Sequence, residues 1–162
     1  MTFGPDGIFG HPDHIAIGAA ADEAFARLRS EHRSGFQRLA HGAVPQTVFE
    51  RWNQQRAQLG LTTFDPTQTY HMRGIADEQI RITVDCRAVT GRIVAGLREH
   101  RSQLHVMSDD PTNTDQWERR VRREWYAIAW PEHGRDTPMF TDLFDGLDGV
   151  GGANSRRQFG QH

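Results

Sequence analysis

The spacing of apolar residues changes period along this chain, and each change predicts an element. Ile15, Ala16, Gly18, Ala19, Ala20, Phe25 and Leu28 form a stretch of helical spacing, mostly small side chains at first. Asp13 suits its N-cap, Pro12 its opening, and Gly35 its end after about Ser34. Small residues of this kind predict close packing on a sheet. Residues 36 to 44 read as a short strand. Pro45 then opens a helix through Val48, Phe49, Trp52 and Leu59, closed by Gly60. Residues 61 to 79 mix Thr, Asp, Pro and Gly and read as an extended connection. Ile80, Ile82 and Val84 alternate with Arg81 and Thr83, the period of a half-buried strand. Val89, Ile93, Val94 and Leu97 stripe a helix from about 87 to 104. After a loop at 108 to 114, Asp115 is placed to cap a last helix in which Trp117, Val121, Trp125 and Ile128 recur, ended by Pro131. Residues 140 to 147 read as a short closing segment.

Alternating strands and helices point to an α/β layered architecture with no internal boundary over residues 1–148. The tail 149–162, with glycines, two arginines and little apolar matter, is expected to be disordered. Phe3-Gly4-Pro5-Asp6-Gly7 is dense in turn formers, so Met1-Thr2-Phe3 reads as the end of a strand.

Composition narrows the function classes. The 162 residues carry 36% hydrophobic and 25% charged side chains with 16 glycines, which suits long polar loops or a piece of a larger domain. A formal net charge of −2 gives no overall field toward nucleic acid or an anionic membrane. Cys86 is the single cysteine, so no intrachain disulfide forms, and a cytoplasmic location is expected. No apolar run approaches the roughly 18 to 20 residues of a membrane span.

The sharpest chemistry is Gly10-His11-Pro12-Asp13-His14, two imidazoles and a carboxylate between a turn and a helix start. Imidazole nitrogens ligate zinc, and a carboxylate either joins them or orients a ligating ring. The residues alone leave two readings open, since a histidine at a helix start often only hydrogen-bonds the backbone.

Three stretches carry a family resemblance. Thr2-Phe3-Gly4-Pro5-Asp6-Gly7 with Gly10-His11-Pro12-Asp13-His14-Ile15-Ala16-Ile17-Gly18 resembles the second signature of the LmbE/PIG-L family of de-N-acetylases. Ile82-Thr83-Val84-Asp85 with Leu97-Arg98-Glu99-His100-Arg101-Ser102-Gln103 resembles its strand, helix and His-x-Ser-Gln run. Thr141-Asp142-Leu143-Phe144-Asp145-Gly146-Leu147 resembles its ending.

The resemblance implies a three-layer Rossmann-like fold, of which this chain holds the C-terminal half. It implies zinc-dependent removal of an N-acyl group from an N-acetylglucosamine-type conjugate. By the same resemblance, the metal is expected to be bound by a histidine and an aspartate of an N-terminal Ala-His-Pro-Asp-Asp-Glu motif and by the histidine that falls on His14. His11 then serves as general acid or oxyanion stabiliser, and Asp13 as an orienting carboxylate. The N-terminal motif is absent here, so the chain alone is expected to be inactive. A late-assigned start, a true truncation or a second polypeptide would each account for the absence. Phe9 stands where some members carry a tyrosine, and it has no hydroxyl to donate. The alternative expectation is a degenerate domain that binds a sugar-like ligand or a partner protein without catalysis.

Other candidates read as structural. His100 suits a helix end. The run from Glu118 to Glu124 reads as a solvated helix face rather than a nucleic-acid surface, and Cys86 as a packed thiol.

Overall fold

A computed structural model describes residues 1–31, 36–104, 110, 112–134 and 136–147. The expected disordered tail lies outside the described residues. The elements run β1 (Thr2–Phe3), α1 (Gly7–Gly10), α2 (Pro12–Ser30), β2 (Leu39–Ala43), α3 (Gln46–Gln58), β3 (Ile80–Asp85), α4 (Thr90–Arg98), α5 (Thr114–Arg120) and β4 (Arg123–Trp130). Short 3-10 turns precede β3 and flank α4. The α/β class expected from the sequence is present.

The four strands form one mixed sheet in the order β1-β2-β4-β3. β1 runs parallel to β2, with Thr2 opposite His41 and Phe3 opposite Gly42. β4 lies antiparallel to both β2 and β3, with Tyr126 opposite Gly42 on one side and Ile82 on the other. The central strand β4 corrects the expected last helix. Only Thr114–Arg120 is helical, capped by Asn113, whose side chain accepts from Gln116 N. Beyond it Tyr126 and Ile128 are buried at alternate positions. The helical spacing of Trp117, Val121, Trp125 and Ile128 joins side chains from two different elements. Aromatic and branched residues fit a pleated surface, and pairing on both edges fixes the strand. The run from Glu118 to Glu124 therefore crosses from α5 into β4 and is not one helix face.

The expected helix over 87 to 104 is likewise divided, with α4 between two 3-10 turns. α3 matches its expected span, and Gly60 follows it at φ 69°, a conformation that favours glycine.

Two apolar clusters hold the sheet. One gathers Ala40, Ile82, Tyr126 and Ile128, with Val84, Phe140 and Leu143 against it. The segment 140–147 is thereby tied down, and Phe140 exchanges backbone hydrogen bonds with Arg81 and Thr83 of β3. The other cluster gathers Val44, Val48 and Phe49 with Ile8, Trp52, Phe64, Met72 and Trp125. α2 crosses from β1 to β2 and approaches β1 closely at Gly18, where an added Cβ would lie 2.6 Å from Phe3 O. Its other small residues do not all pack: Ala16, Ala19 and Ala20 are exposed, and Ile17 is 57% exposed. Among the described residues no helix is long and apolar enough to cross a membrane.

Candidate functional site

The site lies where β1 ends and α2 begins. Gly4 to Gly7 make a tight turn closed by Gly7 N donating to Gly4 O at 2.9 Å. The Asp6 carboxylate accepts from Ile8 N at 3.0 Å and starts α1. The backbone is strained at Ile8, whose φ of 67° is unfavourable for a β-branched residue, while Gly10 takes φ 70° at no steric cost. The turn leaves His11 extended and ready to cap α2.

His11 Nδ1 accepts from Asp13 N at 3.0 Å, and Pro12 occupies the first turn, where its missing N–H costs nothing. The N-cap expected at Asp13 therefore belongs to His11. Asp13 sits in the first turn with its side chain exposed, where a carboxylate favours the positive helix end.

His14 projects back from α2 into an aromatic cage. Its ring stacks on Phe3 at 3.9 Å between centroids, meets Phe9 edge-on at 4.6 Å and lies 4.9 Å from the His11 ring at 27°. His14 Nδ1 is buried and has no hydrogen-bond partner among the described residues. The imidazole lone pair lies in the ring plane, so two nearly parallel stacked rings do not aim their nitrogens at one ion. The pair offers one ligand, not a chelate. Among the described residues no group of three or more His, Cys, Asp or Glu could hold a metal ion.

A second segment closes over this corner. Tyr70 N donates to Phe9 O at 2.7 Å and Arg73 N to Ile8 O at 3.0 Å. The Tyr70 ring meets the His11 ring edge-on at 5.2 Å. The Arg73 guanidinium lies over Gly10, where an added Cβ would fall 2.5 Å from Nη2.

The chain is similar to curated proteins named 1D-myo-inositol 2-acetamido-2-deoxy-alpha-D-glucopyranoside deacetylase. The protein of that name from Acidothermus cellulolyticus is 31% identical over 93% of this chain and 52% of its own length. Those from Streptomyces griseus and Geodermatophilus obscurus are each 28% identical, over 96% and 92% of this chain and 52% and 54% of their own lengths. Over nearly its whole length the chain is similar to these deacetylases, which are LmbE/PIG-L enzymes. It spans about half the length of the curated relatives it matches, a share that fits a C-terminal portion of such an enzyme. No family model matches the chain, and no solved structure matches it.

The His-Pro-Asp-His run stays together in space, with both imidazoles in one cluster and Asp13 at its outer edge. Tyr70 and Arg73 join the corner without any mark in the sequence. They come from the connection 61 to 79, and nothing in their spacing marks them. His100 follows α4, is exposed, and bonds through its backbone to Leu97 and Gln103. Cys86 is buried, and burial, then the charges of Glu124 and Asp85, push its thiol pKa up, as a packed thiol requires.

Proposed function

We propose that this chain is the C-terminal portion of a zinc-dependent de-N-acetylase acting on an N-acetylglucosamine-type conjugate. His14 is a metal ligand, His11 stabilises the developing oxyanion, and Asp13 orients a neighbouring imidazole. The parallel β1-α2-β2 unit is continuous, in the intact domain, with a three-layer Rossmann-like sheet.

The observation that carries this reading is the buried Nδ1 of His14 without a partner. A ligating imidazole has one nitrogen on the metal and the other on an outer hydrogen-bond partner. A buried ring nitrogen with neither points to a missing group. Stacking on Phe3 and the edge contact with Phe9 fix the ring before any ligand arrives. One imidazole fits one corner of a catalytic zinc site, which takes about three protein ligands. The others are assigned to sequence outside this chain.

Zinc bound there supplies Lewis acidity toward the acyl carbonyl and lowers the pKa of a bound water. The chain's own contribution is more specific. Because His11 Nδ1 accepts from Asp13 N, the proton of the neutral ring is on Nε2. His11 thus presents an N–H donor, suited to stabilise a developing oxyanion.

Zinc titration followed through the imidazole NMR resonances tests the reading. The His14 ring should respond first, weakly, and the response should vanish in His14→Ala. A response spread over other histidines with His14 unmoved would overturn it. The absence of a three-ligand group among the described residues and Phe9 without a hydroxyl favour a second reading, a non-catalytic sugar-binding domain. Full zinc silence at His14 would support that one.

A further inference from the structure

Residues 65 to 75 have no regular secondary structure, yet the segment is tightly built. The Asp65 carboxylate accepts from Thr67 N, Thr67 Oγ1 and Gln68 Nε2, while Asp65 N donates to His71 Nδ1 at 2.8 Å. Met72 packs into the Val44, Val48 and Phe49 cluster. Ile75 N donates to Val44 O. His71 and Met72 thus hold the loop from inside, while Tyr70 and Arg73 on either side of them reach the His11 corner.

Both side chains lack protein partners of the kind their chemistry calls for. Tyr70 is 63% exposed at φ 67°, a conformation that a bulky residue adopts only when its surroundings impose it. Among the described residues its hydroxyl makes no hydrogen bond. Arg73 Nε is buried without a partner, and no carboxylate pairs with the guanidinium among the described residues. A rigid exposed aromatic ring beside an unpaired fork of N–H donors suits a ligand with an apolar C–H face and an oxygen-bearing edge. A pyranose ring has both.

We propose that the 65–75 loop grips the sugar ring of the substrate, with Tyr70 covering its C–H face and Arg73 donating to an oxygen at its edge. The proposal rests on the amino-sugar reading above and goes further by naming the residues that select the sugar. The loop is pinned to Phe9 O and Ile8 O, so a ring held there lies against His11.

Saturation-transfer NMR of the chain with the methyl glycoside of N-acetylglucosamine tests it. Transfer to the ring protons is expected. Tyr70→Asn, which tolerates the positive φ while removing the ring, should abolish most of it. Arg73→Met, which keeps the apolar stem, should weaken binding about ten-fold, the loss of a charged hydrogen bond near the low end of its range. The signals of the Thr67 and Ile75 amides, which donate to the Asp65 carboxylate and Val44 O, report whether each variant keeps the loop in place. Equal binding by both variants, or no transfer to the unmodified chain, would overturn the proposal. So would inorganic phosphate binding at Arg73 in place of the sugar. Saturation transfer is read without zinc and the zinc response of the His14 ring without glycoside, so failure of the metal reading and failure of this one remain separate results.

Discussion

His11 and Asp13 are joined through the backbone: the ring nitrogen Nδ1 of His11 accepts the Asp13 amide at 3.0 Å and caps α2. The residue nearest the proposed chemistry is also the one that starts the helix. A fully protonated ring has no lone pair for that bond, so the cap and a cationic His11 exclude each other in this geometry.

His11→Ala should therefore lower stability by about 1 kcal/mol, the usual size of a lost cap. His11→Asn, a good capping residue, should restore most of it without an imidazole. Chemical denaturation of the three proteins checks this. Equal stability of the alanine and asparagine variants would show that the cap does not matter.

Gly18→Ala should destabilise by roughly 1–3 kcal/mol. Its Cβ would meet a backbone oxygen, Phe3 O, at 2.6 Å, so α2 must move off β1. Gly96 in α4 has nothing within 4 Å of its added Cβ. Gly96→Ala should stabilise by about 0.5–1 kcal/mol, because alanine is the better helix residue. Urea midpoints of the pair decide whether close approach or helix propensity governs the difference.

The Asp65 carboxyl is held at a pKa of about 2, chiefly by the Thr67 hydroxyl, then the Thr67 amide, then Gln68. A carboxyl whose folded value is depressed supports the fold above its ordinary pKa of 3.8 and stops doing so as pH falls toward 2. The Thr67 and Tyr70 amide signals should shift together with a midpoint about 2. If Tyr70 stays fixed while Thr67 titrates, the Asp65 turn does not hold Tyr70 in place.

Ile82 is fully buried and Ile17 is more than half exposed. Ile82→Ala should cost about 2–5 kcal/mol and Ile17→Ala within about 0.5 kcal/mol. Thermal unfolding of both variants compares the centre of the sheet with the outer side of α2.

The sequence made the β3 strand and α3 legible because each is a local pattern with punctuation at its end. β4 was not legible, for a physical reason. Val121, Trp125 and Ile128 satisfy helical spacing, while Tyr126 and Ile128 satisfy strand spacing, and only pairing with β2 and β3 selects the second. Of the candidate site, the His-Pro-Asp-His run was visible because its members are sequence neighbours. The cap at His11 corresponds to one of the two readings left open there. Tyr70 and Arg73 were invisible because they meet the run across about sixty residues, through backbone bonds to Phe9 and Ile8 that any side chains could make.

β1 is an edge strand of only two residues, and beside it the outer side of α2 leaves Ile15, Ala16 and Ile17 exposed. Unpaired strand edge and bare aliphatic surface at one corner make an adhesive combination. In a concentrated solution of this chain that corner is where molecules would first stick to one another. Its colloidal behaviour, turbidity and recovery on dilution included, should follow residues 15 to 17 more closely than the net charge.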